Sequence, residues 1–253
     1  MTLLPIKQIE SKDYKRVLQL IKEGMDENIL PTTIYYLDKC AEYIKLLLSS
    51  NSLISGYYYY GYYHGDELVG FSEWRDLDYC LFLNNIYIDL KYRNKGIGSQ
   101  LFNQGIDLAK RLQKKTIELD VYSNNNRAIR WYSSLGFVPK VESHVIELDL
   151  VRELSTNITY TIINYPQSIK LLNEFGFSYL DINSITGLKK VGLLNHSYFR
   201  LNHPNDLEDE TLLYTLKTFD PNRKFLCITN NPHIPKLFVH KIIAKSMRLQ
   251  LHL

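Results

Sequence analysis

The chain has 253 residues, of which 45% are hydrophobic and 23% charged, and a formal net charge of +3 at pH 7. That length allows one large domain or two small ones with a sizeable core, and the composition is ordinary for a soluble globular protein. So slight a positive excess, with no Lys/Arg run beyond two residues, excludes the electrostatic footprint of a nucleic-acid binder.

"LPIKQIE" reads as a short first strand. Ser11 can cap a following helix whose apolar face is Val17, Leu18 and Ile21. A second helix is expected after Pro31-Thr32-Thr33, with Ile34, Leu37, Ala41, Ile44 and Leu48 at three- and four-residue spacings. Six tyrosines within Tyr57–Tyr63 then suit a strand, because aromatics fit a pleated surface. Tyr57, Tyr59 and Tyr63 would share one face and Tyr58, Tyr60 and Tyr62 the other. One set should pack on helices, while the second either packs likewise or lines a groove for a cationic or aromatic amine. "HGDE" is a hairpin turn, Leu68 to Trp74 the returning strand, and Tyr79 to Ile88 a further strand.

From Ile97, residues Leu101, Ile106, Ala109 and Leu112 form one helical stripe. "TIELDVYS" is a strand with Ile117, Leu119 and Val121 on one face and Glu118 and Asp120 on the other. "NNNRAIRWYSSLGF" is a capped helix stopped by Gly136, and strands near 137–141 and 144–150 close the unit. The expected fold is therefore α/β over residues 1–150. After Leu150, "VRELSTN" reads as a linker to a second region, 151–253. There "QSIKLLNEFGF" aligns without gaps on "RAIRWYSSLGF", and the C-terminal "TNNPHIPKLFVHKIIAKSMRLQLHL" parallels residues 123–150 more loosely. A decayed second copy of the first unit and chance likeness between amphipathic segments both account for this.

The chemistry concentrates in "KYRNKGIGSQLF". A strand runs into a turn and then a helix, with Gly96 and Gly98 where side chains would block backbone approach and Arg93 and Lys95 adding positive charge. The first-turn N–H groups of a helix lack internal partners, and its dipole favours an anion there, so a phosphate or pyrophosphate is the natural guest. The GxG is too short for the GxGxxG dinucleotide fingerprint, and no GxxxxGK[ST] loop is present.

"IYIDLKYRNKGIGSQLF" followed by "NNNRAIRWYSSLGF" resembles the two signatures of the GNAT superfamily, the GCN5-related N-acetyltransferases that move an acyl group from coenzyme A to an amine. The first matches the strand, R/Q-x-x-G-x-G/A turn and helix that hold acetyl-CoA. The second matches an Asn, then Ala, then a Tyr shortly before Leu-Gly-Phe. Leu90 departs from the Pro that the family often has there. The resemblance covers residues 1 to about 150 and implies a mixed, mostly antiparallel sheet flanked by helices, with a smaller C-terminal α/β domain beside it. It implies that the backbone of Arg93, Asn94, Lys95, Gly96, Ile97 and Gly98 cradles the pyrophosphate, with Ser99 close by. The backbone of Ile86, Tyr87 and Ile88 would pair with the pantetheine arm as an added strand would. Asn125 either contacts the cofactor or caps its helix.

By the same resemblance Tyr132 protonates the departing thiolate, a role a phenol can fill, and a backbone N–H near Ile88 polarises the thioester carbonyl. Removing a proton from an ammonium calls for a carboxylate or a water chain to one. Asp120 matches the position of the catalytic Glu in the ribosomal-protein alanine N-acetyltransferases, one methylene shorter; Glu73, on "LVGFSEW", is the other candidate base, and could instead orient a cationic substrate. The expected activity is acetyl transfer from acetyl-CoA to a primary amine, small or peptidic, with a non-catalytic acyl-CoA sensor as the alternative. In the second region no R-x-x-G-x-G occurs, and Leu172 or Phe238 stands where Tyr132 would, so that part is expected to be inert.

Cys40, Cys80 and Cys227 form no CxxC, which points to buried thiols in a reducing, cytoplasmic setting. The histidines show no HxxxH or HExxH spacing, so no metal is expected. No window approaches the roughly 18 apolar residues of a membrane span, and no signal peptide is recognisable. Neither nucleic acid nor membrane is an expected partner, and a homodimer is possible on this reading.

Overall fold

The computed structural model describes residues 5–154, 156, 158–231 and 233–253. In chain order the elements are β1 (Ile6–Gln8), α1 (Tyr14–Gly24), α2 (Cys40–Ser49), α3 (Ser52–Ser55), β2 (Tyr57–His64), β3 (Glu67–Asp76), β4 (Leu81–Ile88), α4 (Ile97–Arg111), β5 (Thr116–Tyr122), α5 (Asn126–Ser134) and β6 (Val138–Leu150). They continue with β7 (Thr161–Ile162), α6 (Tyr165–Phe175), β8 (Phe177–Ser184), β9 (Gly187–Leu194), β10 (Tyr198–Leu201), α7 (Glu210–Phe219), β11 (Lys224–Thr229) and β12 (Phe238–His252).

The chain forms two compact units, but not by a single cut at 150. The first holds Met1–Asp26, Ala41–Val141 and Met247–Leu253; the second holds Glu27–Cys40 and Glu142–Ser246. The segment from Val138 to Leu150 is one long strand rather than two, since Glu142-Ser143 lacks the glycine or proline that a hairpin turn needs. β6 and β12 thus each contribute residues to both units.

In the first unit the strands run β1-β2-β3-β4-β5-β12-β6. The β1–β2, β2–β3 and β3–β4 pairs are antiparallel, and β4–β5 is parallel. Gly65, at φ +61°, makes the tight β2–β3 turn. One face packs Trp74, Leu81, Leu83, Phe102, Leu108, Ile117, Leu119, Tyr132 and Leu249 into a core under α4 and α5. α4 comes so near β3 that a Cβ on Gly105 would stand 2.0 Å from the Trp74 ring. Tyr58 and Tyr60 pack partly into this core, and Tyr60 and Tyr62 meet Val69 and Ile97, while Tyr59 and Tyr63 are buried as well. Both tyrosine faces therefore go to packing.

Two helix starts differ from expectation. Ser11 lies in a single 3-10 turn without capping, and α1 begins at Tyr14. The helix expected after Pro31 begins only at Cys40. Ile34 and Leu37 belong to the second unit, where Leu37 packs on Gly176 and the Asn195 amide donates to the Pro31 carbonyl at 3.1 Å. Tertiary contacts there outweigh a helical periodicity that is only a weak local preference.

The second unit's strands run β6-β11-β10-β9-β8-β7 around a core that includes Ile146, Leu148, Leu172, Leu180, Val191, Phe199, Leu213 and Phe225. The gapless echo has a structural counterpart. α5 and α6 both end at a left-handed glycine (Gly136, φ +91°; Gly176, φ +81°), and each is followed by a buried phenylalanine, Phe137 or Phe177. The looser echo does not: no helix stands between β11 and β12 among the described residues, and Phe238 instead opens a strand. Of the expected linker, residues 155 and 157 lie outside the described residues.

Candidate active site

β4 carries the site. Its ladder with β3 continues to Gly70↔Ile88, but its parallel ladder with β5 ends at Leu83↔Leu119. The register of β3 against β4 shifts between Glu73 and Trp74, a bulge that adds local twist where β4 and β5 part. The Ile86–Ile88 stretch therefore runs along a splay between two parallel strands, a place where an extended ligand can add as a strand does.

At the end of β4 the Asp89 side chain accepts from the Lys91 N–H at 2.9 Å, and this bond, offset by partial desolvation and helped by Arg16, holds its carboxyl below the usual range. The Arg93 Nε donates to the Ile88 carbonyl at 2.9 Å. Asn94 (φ +63°) and Gly96 (φ +76°) take left-handed conformations that aim the chain into α4. Burial and the neighbouring Arg127 guanidinium both press the Arg93 pKa down, and Arg127 in turn donates to the Asn94 side chain at 2.7 Å. Two guanidinium groups beside a helix start make the turn strongly electropositive. The Lys95 ammonium sits 4.9 Å from the Tyr92 ring, and Ser99 is exposed on the first turn of α4.

The two glycines of the turn differ in kind. Gly96 is required by its backbone angle. Gly98 has no such angle, and a Cβ there would meet Ile88 and Trp131 at 3.6 Å, an ordinary contact. Neither conformation nor packing within the protein calls for a glycine at 98.

The Asn125 side chain accepts from the Ala128 N–H at 3.1 Å, so it caps α5. Tyr132, one face of α5 further on, is 7% exposed, with Trp131 and Phe137 rings 4.9 and 5.5 Å away. Burial drives its phenol well above the ordinary tyrosine range, and the Tyr87 phenol adds to the shift. Burial likewise raises Tyr87, followed by Tyr122 and Glu73. Tyr87 is thus linked electrostatically to Tyr132, to Tyr122 and to Glu73. The Tyr87 ring lies against the end of α1, where a Cβ on Gly24 would come within 2.3 Å of it.

Glu73 is 1% exposed and accepts from the Asn85 amide at 2.6 Å and from Arg75 at 3.3 Å. Arg75 also lies 5.1 Å from the Tyr57 ring, and Tyr57 hydrogen-bonds Tyr43, whose phenol burial pushes up. Asp120 is differently placed. Its two oxygens accept from Nε and Nη2 of Arg248, a forked pair, at an exposed position. Glu118, expected on a solvated face, is 1% exposed and bound by Lys140 at 2.6 Å, Gln250 at 3.0 Å and Arg248 at 3.4 Å. The strand that brings Arg248 and Gln250, together with Lys140, covers that face at Glu118 and leaves it open at Asp120. Sequence reasoning missed the side chains of Tyr87, Arg127 and Arg248. Arg127 was legible as a cation on the first turn of α5, whereas Arg248, 128 residues from Asp120, left no local signal.

Among the described residues no group of three or more His, Cys, Asp or Glu side chains could hold a metal ion, and no helix is long and apolar enough to cross a membrane.

Residues 22–137 match the sequence profile of the acetyltransferase (GNAT) family. An uncharacterized N-acetyltransferase of Methanocaldococcus jannaschii is 38% identical over 23% of this chain and 26% of its own length. The spermine/spermidine N(1)-acetyltransferase of Bacillus subtilis is 34% identical over 30% of this chain and 55% of its own. The chain thus spans about a quarter to about half the length of the curated relatives it matches. In fold, a tandem GNAT protein from the clavulanic acid biosynthesis pathway follows 98% of this chain over 98% of its own, with a TM-score of 0.66 at 11% identity. Residues 22–137, the stretch that matches the acetyltransferase (GNAT) profile, hold the splayed β4–β5 pair, the glycine turn and the buried tyrosine of α5, so the likeness to that family lies on these elements.

Proposed function

We propose that this protein is an acetyl-CoA-dependent N-acetyltransferase that acylates a primary amine by direct transfer, and that the first unit carries the whole reaction. The observation that bears most of this reading is Gly98, whose missing side chain nothing in the protein requires, at an electropositive helix start beside an open strand edge. Acetyl-CoA would supply the activated acyl group. The turn from Arg93 to Gly98 would hold its pyrophosphate through backbone N–H groups, with Arg127 adding charge and Ser99 close by. Ile86, Tyr87 and Ile88 would pair with its pantetheine arm through main chain, and Asn125, besides capping α5, would stand next to it.

Glu73 is the base of this proposal. Its oxygens face Asn85 and Arg75 in a nearly water-free setting, next to the phenols that border the splay. It takes a proton from the acceptor ammonium; the freed amine nitrogen forms the new bond to the acyl carbon, while a backbone N–H near Ile88 stabilises the oxygen's charge. The carbon–sulfur bond breaks, Tyr132 gives its proton to the leaving sulfur, and the second proton that the nitrogen sheds on becoming an amide restores the phenol. Asp120, locked to Arg248, is less suited to proton transfer. A polyamine acetyltransferase among the relatives supports an amine acceptor, and three buried thiols support a cytoplasmic setting. The second unit we read as a degenerate copy, with Leu172 at the position aligned to Tyr132.

Calorimetric titration of acetyl-CoA, followed by release of free thiol with a panel of amines, tests this directly. A folded sample that shows no binding at millimolar ligand would refute it.

A further inference from the structure

β5 is held in two ways along its length. Its first half, to Leu119, is laddered to β4; its second half, Asp120 to Tyr122, has left that ladder. The anchor of the second half comes from the opposite side. β12 lies next to β5, and Arg248 from β12 grips both Asp120 oxygens, with Nη2 at 2.8 Å, while lying 4.9 Å from the Phe82 ring on β4. Glu118, in the laddered half, is held mainly by Lys140 at 2.6 Å and Gln250 at 3.0 Å, with Nη1 of Arg248 farther off at 3.4 Å. On the other sheet face Leu249 is buried with Tyr132, and Met247 and Leu251 pack against the same cluster. All these residues lie within the first unit, yet the chain reaches Met247 only after passing through Glu142–Ser246.

We propose that Arg248 is a positioning residue of the acyl-transfer site: its fork on Asp120 fixes the splayed half of β5 and so sets the width of the cleft beside β4. The role of the second unit is then to return the strand that completes the first. This inference rests on the acyl-transfer reading for its kinetic consequences but not for its structural one. A forked guanidinium–carboxylate pair fixes orientation as well as distance, which a single ammonium does not. Tyr132 packs in the same core cluster as Leu249 of β12 and Leu119 of β5, so a shift of β5 is passed to it, and small misplacements at a reacting group act on the rate.

The experiment compares Arg248→Ala, Arg248→Lys, Asp120→Asn, the Arg248→Ala/Asp120→Asn double variant and Gln250→Ala in the full chain. Arg248→Ala should lower kcat by about 10- to 100-fold while acetyl-CoA affinity, set mainly at the glycine turn, which Arg248 does not touch, is kept. Arg248→Lys should recover part of the loss. The double variant should be no worse than Arg248→Ala, because both remove one interaction. Gln250→Ala, which touches only the laddered half, should leave kcat unchanged. Amide exchange at 120–122 should quicken in Arg248→Ala and not in Gln250→Ala. Losses that multiply in the double variant, or unaltered exchange at 120–122, would overturn the proposal. Should Arg248→Ala not fold, Arg248→Lys carries the same comparisons. If the parent protein neither binds acetyl-CoA nor releases thiol, the activity reading fails, and amide exchange alone decides the anchoring role.

Discussion

Two glycines on α4 make opposite predictions for the same substitution. Alanine in a helix is favoured over glycine by up to about 1 kcal/mol. At Gly105 the added Cβ would stand 2.0 Å from Trp74, a fully buried ring whose Nε1 donates to the Ser72 hydroxyl at 2.9 Å. Such a ring cannot swing aside, so α4 must move off the sheet, and overpacking of this kind costs about 1–3 kcal/mol. An overlap this deep belongs in the upper part of that range, about 2–3 kcal/mol, so with the propensity gain of about 1 kcal/mol subtracted Gly105→Ala should destabilise by about 1–2 kcal/mol, or roughly 2–8 °C in Tm for a chain of this size. At Gly98 the Cβ meets its neighbours at 3.6 Å, so the protein accommodates it and Tm should hold or rise slightly. Acetyl-CoA, however, would meet the methyl group where its pyrophosphate approaches the backbone. A clash of about 1–3 kcal/mol weakens binding by about 5- to 150-fold. Thermal unfolding of both variants and calorimetry of acetyl-CoA read the two effects separately. If Gly98→Ala binds as tightly as the parent, the space at 98 is not a ligand's; if Gly105→Ala is as stable as the parent, the close approach of α4 to Trp74 is not what excludes a side chain there.

Tyr132→Phe keeps the buried ring and removes only the hydroxyl. It should therefore lower kcat by about 100-fold or more with little change in acetyl-CoA affinity, and an unchanged kcat would remove Tyr132 from the proton path. Glu73→Gln should cost a similar factor at pH 7, and the deficit should shrink as pH nears the acceptor amine's own pKa of about 10.4, where the free amine needs no base; a deficit constant with pH would argue for a structural role. Burial raises Tyr63, Tyr87, Tyr132 and Tyr198 above the value of an unfolded tyrosine. The folded state then retains protons that the unfolded chain releases, so their contribution to stability is intact below about pH 10 and is lost as pH rises beyond it, by up to about 1.4 kcal/mol per pH unit for each. Denaturant titrations between pH 8 and 11 should show this decline, and a flat profile would contradict the burial of these phenols.

Much of the first unit was legible because its signals are local. Alternation marked Ile117, Leu119 and Val121 as one buried face, Gly65 and Gly136 punctuated the chain where left-handed angles are needed, and the glycines after Arg93 marked a turn before a helix. The same local reading located Tyr132. Other features depended on partners far along the chain. Glu118 and Asp120 looked alike as polar residues of one strand, yet one is interior and the other gripped by an arginine 128 residues away, because β12 is the strand that comes to lie beside β5. Periodicity assigned Ile34 and Leu37 to a helix of the first unit, but packing on Gly176 drew them into the second. A strand's sequence encodes which face it buries, through its two-residue period, but not which edge it will find. The residues of this chain by themselves determined most elements of its first unit, its glycine turn and its likeness to the acetyltransferase (GNAT) profile. Only the tertiary structure decided that β6 and β12 each give residues to both units and that Arg248 pairs with Asp120, since hydrogen-bonding edges and single charges are nearly interchangeable until the rest of the fold selects among them.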